Sequence, residues 1–302
     1  MHLKLRKTLL IFLSLILALV PISTFSSQKA DAASKTVIIG SKNFTENLII
    51  GEIYAQVLSD NGIKVQRKLN LAGTFVAHSA LKKGSIDVYP EYTGTGYVDI
   101  LKNKASHNDA KVLTTLNKSY AKWDLEWLKP TTANNSQALV ITSAAAKKYN
   151  IKTFSNLAKQ ASKLRFASTA EFKGRADGLS GLQKAYGGFN FKSTSIVDNG
   201  VRYNALFDDK ADVTVGFTTD GQLTNKKLVL LTDNKKFYPH YFVAPVIRKA
   251  VLKSDPKVKT LLNKVDTKIT TEQLQKLNAK VDVDHEKYQT VAKEFIEQNG
   301  LK

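Results

Sequence analysis

Short apolar runs alternate with segments of helical periodicity from about residue 36 to the C-terminus. Short apolar runs bounded by turn residues are typical of buried strands, and apolar residues three and four apart are typical of amphipathic helices. The first unit predicts a strand over 36–39, a helix over 46–61 that ends at Asn61-Gly62, and a strand over 65–69. This alternation predicts parallel-rich sheets covered by helices, which is an α/β fold.

The same pattern continues along the rest of the chain. Further strands are predicted over 86–89, 138–142, 165–167, 193–197, 213–217, 228–231 and 243–247. Further helices are predicted over 74–83, 97–101, 110–123, 144–149, 154–163, 178–186, 202–208, 257–278 and 285–299. No long Pro- or Ser-rich linker and no internal repeat divides the chain. We therefore expect two lobes joined by short crossovers near 134–138 and 236–242.

The N-terminus has the pattern of a secretory signal peptide. Basic residues at Lys4, Arg6 and Lys7 precede an apolar run over 9–20, and small residues follow at Ala30-Asp-Ala32. A charged start, an apolar stretch and a small-residue cleavage site identify such peptides. The run is short for a membrane span. We predict a signal peptide over 1–32, with a retained anchor helix as the alternative.

Composition narrows the chemistry available to the chain. It contains no cysteine, so disulfides, thiol nucleophiles, cysteine-based zinc sites and lipid attachment at cysteine are excluded. The formal net charge is +19, which favours attraction to polyanions such as anionic lipid headgroups or wall polymers. A solvated lysine-rich surface explains the charge equally well. The lysines are scattered and no nucleic-acid-binding motif is present, so no nucleic-acid partner is predicted.

Enzymatic activity is not indicated. The histidines beyond the predicted signal peptide are His78, His107, His240 and His285, which do not have metal-ligand spacing. Neither a Gly-x-Ser-x-Gly motif nor a phosphate-binding Gly-x-x-x-x-Gly-Lys-Ser/Thr loop occurs. We predict no catalytic residues, no cofactor and no metal.

Two strand-to-turn segments contain the candidate binding chemistry. The segment 84–97 runs from an apolar strand into a Pro/Gly turn with three tyrosines, two threonines and one glutamate. The segment 37–47 has the same design, with a strand, a glycine and then Ser-Lys-Asn-Phe-Thr-Glu-Asn opening a helix. Open α/β sheets bind ligands at such strand ends. Tyrosine rings can face a cation, and threonine hydroxyls can donate to an anion.

From about Val37 to the C-terminus the chain resembles the osmoprotectant-binding proteins of ABC importers, the glycine betaine/carnitine/choline family. Besides these two segments, the resemblance includes the runs 134–137, 170–178, 216–221 and 238–241. It implies a two-lobed fold of the type II periplasmic-binding-protein kind with the ligand in the interlobe cleft. The implied boundaries are 33–136 plus 241–302 for lobe 1 and 137–240 for lobe 2.

The resemblance also implies the ligand-binding residues. A methylated ammonium has no N–H to donate, so recognition requires aromatic faces, while a carboxylate requires cationic or hydrogen-bond donors. The implied cage positions are Tyr92, Gln137, Phe217 and Tyr241, and the implied carboxylate positions are Lys42, Thr95 and Arg175. The family usually has tyrosine at position 137, and many members have it at 217. The two departures suggest a cage with one wall replaced by an amide.

The implied function is that of an extracytoplasmic solute-binding protein without catalytic activity. It would act as a monomer in the periplasm or at the outer face of the membrane, and deliver a betaine-like zwitterion to permease subunits served by a separate ATPase. One alternative is a different small zwitterion, such as an amino acid or a proline-like solute. Another is a basic surface-adhesion protein on the same fold.

Overall fold

A computed structural model describes residues 36–174, 177–198 and 201–302. The predicted signal peptide over 1–32 and the predicted site residue Arg175 lie outside the described residues. The described strands are β1 Val37–Lys42, β2 Val65–Leu71, β3 Val88–Tyr92, β4 Leu125–Trp127, β5 Gln137–Thr142, β6 Arg165–Ser168, β7 Ser193–Ile196, β8 Val213–Phe217, β9 Leu228–Leu230 and β10 Val243–Arg248.

The described helices alternate with these strands and then continue to the C-terminus. They are α1 Thr45–Asp60, α2 Gly73–Lys83, α3 Thr93–Thr95, α4 Asp109–Tyr120, α5 Ser143–Lys148, α6 Phe154–Gln160, α7 Ala170–Gly174, α8 Leu179–Tyr186, α9 Asn204–Phe207, α10 Lys249–Ser254, α11 Lys257–Asp266, α12 Thr271–Asp282 and α13 Tyr288–Gln298. Within the described ranges, no helix is both long and apolar enough to cross a membrane.

The strands form two five-stranded sheets, in the orders β2-β1-β3-β10-β4 and β7-β6-β8-β5-β9. In the first sheet β1 runs parallel to β2 and β3, and β10 runs antiparallel to β3 and β4. In the second sheet β6 runs parallel to β7 and β8, while β5 runs antiparallel to β8 and β9. Each sheet is therefore mixed rather than mainly parallel, because the strand that follows each crossover enters in the opposite direction.

Each sheet is the centre of one α/β lobe, which confirms the predicted two-lobed α/β fold. The chain passes from the first sheet to the second between β4 and β5, and returns between β9 and β10. Both passages fall where short crossovers are expected. The residue-level lobe boundaries at 136/137 and 240/241 stay predictions.

Apolar side chains cover both faces of the first sheet. On one face, Ile39 of β1 packs in a cluster with Ile53 of α1 and Leu262 of α11. On the other face, Tyr89 of β3 packs in a cluster with Leu116 of α4. Fully burying an aliphatic side chain of this size contributes about 1.5–3 kcal/mol. A sheet packed on both faces gives a rigid base for the polar residues at its edge.

Several elements of the lobes differ from the sequence expectations. Strand β4 and helices α3, α7 and α10 are not anticipated, because they are short and lack a long periodic pattern. Strand β3 extends to Tyr92 because β10 pairs with it through Val243 and Tyr92. The tail, expected to form two or more helices over 257–278 and 285–299, forms α11, α12 and α13. Helix α12 begins after Thr270, which accepts a hydrogen bond from the Gln273 amide and caps the helix.

Candidate functional site

The carboxyl ends of three parallel strands meet at one edge of the first sheet. Strand β1 ends at Lys42, β2 ends at Leu71 just before Thr74, and β3 ends at Tyr92. These strands run in the same direction, so the residues that follow them lie at the same edge. This edge brings Lys42, Thr74 and Tyr92 together.

Lys42 is held in place by a buried ion pair. Its ammonium donates to a carboxylate oxygen of Glu91 and, at 2.9 Å, to the Thr74 hydroxyl. Glu91 is fully buried, and it also accepts from the Tyr89 hydroxyl at 3.0 Å and from the Tyr92 amide at 2.7 Å. An ammonium has three donors, so one proton of Lys42 exceeds the two acceptors described here. The sequence alone does not predict this ion pair.

Tyr92 is surrounded by cationic and aromatic groups. The Lys42 ammonium lies 5.0 Å from the centre of its ring, and the Phe44 ring stacks at 6.1 Å with an interplanar angle of 27°. The Tyr92 hydroxyl donates to Glu46 at 2.7 Å. Burial, followed by the neighbouring Glu46 carboxylate, raises the pKa of Tyr92 well above its usual value. Tyr92 is therefore a neutral donor whose ring orientation is set at both ends.

Tyr241 lies beside the turn that follows Tyr92. A Cβ built on Gly94 would be 2.5 Å from Cδ1 of the Tyr241 ring, so the ring packs directly against the glycine backbone. The Tyr241 amide donates to the Asn134 side chain at 2.7 Å. Thr95 ends α3 one residue after Gly94 and is half-buried. Three predicted site positions, Tyr92, Thr95 and Tyr241, are thus neighbours on the first lobe.

The two remaining described site positions are paired on the second lobe. Gln137 at the start of β5 is the direct cross-strand partner of Phe217 at the end of β8. The Phe217 amide donates to Asp220 at 2.7 Å, and the Arg202 guanidinium lies 5.7 Å from the centre of its ring. Arg202 also forms an ion pair with Asp220 at 2.6 Å. Cross-strand pairing therefore brings the glutamine amide beside an aromatic ring that is firmly positioned.

A cavity of about 380 Å³ lies next to the crossovers. Among the predicted site residues that the structure describes, Gln137 lines this cavity, together with Tyr238 and His240. Lys42 and Tyr92 are instead buried at the sheet edge where β1, β2 and β3 end, the lobe 1 edge. In the described ranges, no group of three or more histidine, aspartate or glutamate side chains is arranged to hold a metal ion.

Three residues at the lobe 1 edge were not anticipated as site components. Phe44 is 38 % exposed although its ring stacks on Tyr92. Thr74 binds Lys42, and Glu46 is a buried carboxylate that accepts from Tyr92. Phe44 and Glu46 belong to the same Ser-Lys-Asn-Phe-Thr-Glu run that contains Lys42. The run of polar and aromatic residues directly after a buried strand could have indicated these positions, because it makes every residue of the run a candidate for the site.

Comparison with known sequences identifies one family. Residues 35–298 match the family described as the substrate-binding domain of ABC-type glycine betaine transport systems. An ergothioneine transport permease/ergothioneine binding protein of Helicobacter pylori is 37 % identical over 88 % of this chain, which spans 48 % of that relative's length. The carnitine transport binding protein OpuCC of Listeria monocytogenes is 32 % identical, with 89 % of this chain and 88 % of the relative covered.

Solved structures agree with the sequence comparison. A glycine betaine/carnitine/choline ABC transporter structure superposes with a TM-score of 0.81 at 30 % identity, covering 88 % of this chain and 99 % of the other. The ligand-free YehZ protein of Escherichia coli superposes with a TM-score of 0.74 at 28 % identity, covering 89 % and 100 %. These likenesses extend over both lobes and both crossovers.

Proposed function

This chain belongs to the family of substrate-binding domains of ABC-type glycine betaine transport systems, and on that premise we propose that it captures a carboxylated quaternary-ammonium compound between its two lobes. Members of the family are substrate-binding proteins of transporters rather than enzymes. Which compound is bound, and through which side chains, belongs to the proposal.

The supporting observation is the close placement of two kinds of group at one sheet edge. The Phe44 and Tyr92 rings stack on each other, and the Lys42 ammonium is 5.0 Å from the Tyr92 ring centre. A betaine has a cation without N–H groups at one end and a carboxylate at the other. Aromatic faces attract the first, at about 0.5–2 kcal/mol per contact. An ammonium donor with a spare proton attracts the second.

Phe44 compensates for the departure at position 137 in this proposal. The family resemblance implies a ring at 137, and this chain has glutamine there. Phe44 supplies a partly exposed ring on the opposite lobe, so the cage retains its number of aromatic walls. Phe217 and Tyr241 supply the others. Arg175 would bind the ligand carboxylate from the second lobe.

Ligand binding would favour the closed arrangement of the lobes. A ligand shifts such an equilibrium only through its differential affinity for the two arrangements, and contacts to both lobes provide that difference. The closed protein would then deliver its ligand to the permease subunits of an ABC importer with a separate ATPase. It would act as a monomer.

A larger betaine is the second candidate, favoured by Gln137. The amide of Gln137 lies beside Phe217 and lines the cavity near the crossovers. An amide can accept from a ring N–H and donate to a polar ring substituent. The Helicobacter pylori relative is named for ergothioneine, a betaine that carries a thioimidazole ring. Glycine betaine has no ring substituent or N–H group, so only its carboxylate could bond to the Gln137 amide.

The extracytoplasmic location is that of the family, and the route there is part of the proposal. The signal peptide over 1–32 would direct export. The net charge is +19 for the whole chain, of which residues 1–32 carry +3. The remaining positive charge would hold the exported protein near anionic wall polymers or lipid headgroups, since cysteine lipidation is excluded.

The test is a calorimetric titration of the refolded, ligand-free protein. The panel contains glycine betaine, carnitine, ergothioneine, choline, proline and glutamine. Saturable binding of carboxylated methylammonium compounds, lost in Tyr92→Ala and Arg175→Ala, is expected. Preference for ergothioneine that is lost in Gln137→Tyr, with a gain for glycine betaine, would select the second candidate. Binding of proline or glutamine alone would refute both.

A further inference from the structure

Glu46 accepts hydrogen bonds from residues in distant parts of the chain. It lies in the first turn of α1 and is 3 % exposed. One carboxylate oxygen accepts from the Tyr92 hydroxyl and from the Asn135 side-chain amide, both at 2.7 Å. The other oxygen accepts from the Asn278 side-chain amide at 3.0 Å. An ionised carboxylate is an acceptor only, so it satisfies all three donors at once.

The partners of Glu46 extend to the rest of the predicted cage. The Asn135 backbone amide donates to the Tyr241 carbonyl at 3.1 Å. The Asn278 side chain also donates to the Thr219 carbonyl at 2.8 Å, two residues after Phe217. Glu46 is therefore one hydrogen bond from Tyr92, and Asn135 links it to Tyr241. Asn278 links it to Thr219, which lies two residues after Phe217.

The same residues belong to the connection between the lobes. Asn135 lies in the crossover that leads from β4 to β5, and Asn278 lies on α12 of the C-terminal part. Gln275, also on α12, donates to the Thr218 carbonyl at 2.7 Å. The segment after Phe217 is thus attached to α12, and α12 is attached to Glu46.

We propose that Glu46 is a positioning residue for ligand binding, which aligns the aromatic walls on both lobes and couples them to the first crossover. The proposal rests on the function proposed above, because it takes Tyr92, Tyr241 and Phe217 to contact the ligand. Glu46 itself is covered by its donors and acts through them. A buried carboxylate is costly to desolvate, and that cost is partly offset here by hydrogen bonds from Thr219, Asn135, Tyr92 and Asn278.

The decisive variant is Glu46→Gln. Glutamine has the same shape, but its NH₂ group replaces one acceptor and must face a donor from Tyr92, Asn135 or Asn278. The matched control is Asp266→Asn, because Asp266 is also a buried carboxylate that accepts from a tyrosine hydroxyl, that of Tyr54 at 2.8 Å. That pair joins α1 to α11.

Two measurements are made on each variant. The first is the Kd for glycine betaine by calorimetry. The second is the distribution of interlobe distances without ligand, measured by single-molecule Förster resonance energy transfer. Because the chain lacks cysteine, cysteines introduced at the exposed Lys83 and Lys210 would be the only labelling sites.

Glu46→Gln is expected to raise the Kd at least tenfold and to broaden the interlobe distribution. Asp266→Asn is expected to leave the Kd within twofold of wild type and the distribution unchanged, whatever its effect on the Tm. Wild-type Kd and distribution in Glu46→Gln would overturn the proposal. Equal losses in both variants would overturn it too, since general destabilisation would then explain the effect.

Two further outcomes keep the inference distinct from the proposed function. If the unmodified protein does not bind glycine betaine, the ligand assignment fails, while the distance distributions still decide the role of Glu46. If Glu46→Gln does not fold, Asn278→Leu replaces it, because that change removes only the donor that joins Glu46 to Thr219. A several-fold weaker Kd in Asn278→Leu supports the proposal, and an unchanged Kd overturns it.

Discussion

The Lys42–Glu91 ion pair allows the structural and ligand-binding roles of Lys42 to be separated. Both side chains are buried, with Lys42 3 % exposed and Glu91 fully covered. Lys42→Met removes the charge and keeps the length of the side chain. It leaves the Glu91 carboxylate buried with the Tyr89 and Tyr92 donors but without its counter-ion. Breaking one partner of a buried pair costs about 3–5 kcal/mol.

The double variant Lys42→Met/Glu91→Gln also removes the unpaired charge of the Glu91 carboxylate. The glutamine oxygen can still accept from Tyr89 or Tyr92, so no carboxylate remains without a cation. Replacing both partners of a buried pair is often neutral. We expect its free energy of unfolding, from urea titration, to lie within about 1 kcal/mol of wild type.

Ligand binding should not recover together with stability. A hydrogen bond from an ammonium to a ligand carboxylate contributes about 1.5–3 kcal/mol, which corresponds to a roughly 10- to 150-fold change in Kd. The double variant should therefore bind glycine betaine that much more weakly. Choline has no carboxylate and should be unaffected. Full recovery of glycine betaine affinity in the double variant would show that Lys42 is only structural, and wild-type stability in Lys42→Met would refute the argument from burial.

Three further variants test other parts of the molecule. Phe44→Leu should weaken glycine betaine binding by about 0.5–2 kcal/mol, or about 2- to 30-fold in calorimetry; an unchanged Kd would remove Phe44 from the cage beside Tyr92. Gly94→Ala places a Cβ 2.5 Å from the Tyr241 ring and should displace the ring, so a crystal structure with Tyr241 unmoved and binding intact would contradict the packing argument. Burial lowers the pKa of His78 to about 4 from an unfolded value of 6.5, so the unfolded state alone binds a proton between these values and stability should fall by up to about 3 kcal/mol from pH 6.5 to 4. His78→Leu should flatten that part of the pH profile, and an identical slope in the variant would assign the loss to other groups.

The chain segments that form the lobe 1 edge are readable from local sequence. Lys42 follows an apolar run that ends in a glycine and a serine, and Tyr92 follows one that ends in a proline and a glutamate. Such runs form buried strands, and open α/β sheets bind ligands at strand ends. The alternation of strands and helices similarly indicates two α/β units. Local pattern suffices in these cases because each feature depends on neighbours within a few residues.

The contacts that decide the chemistry of the edge are not readable in this way. Lys42 pairs with Glu91 across 49 positions, and Glu46 accepts from Asn278 across 232 positions. The sequence shows that a lysine and a glutamate follow buried strands. It does not show that both side chains are buried away from water. Only the packed sheet shows that the Lys42 ammonium forms an ion pair with a carboxylate of its own chain.

Sequence by itself determined most of the order of strands and helices, the absence of cysteine chemistry and the positions where polar residues follow buried strands. These properties depend on local periodicity and composition, which do not depend on the tertiary contacts of the chain. Tertiary structure decided that the sheets are mixed, that Phe44 stacks on Tyr92 and that Glu46 joins the aromatic positions to the crossover. Those results depend on which distant segments meet, and that is determined by the packing of the whole chain.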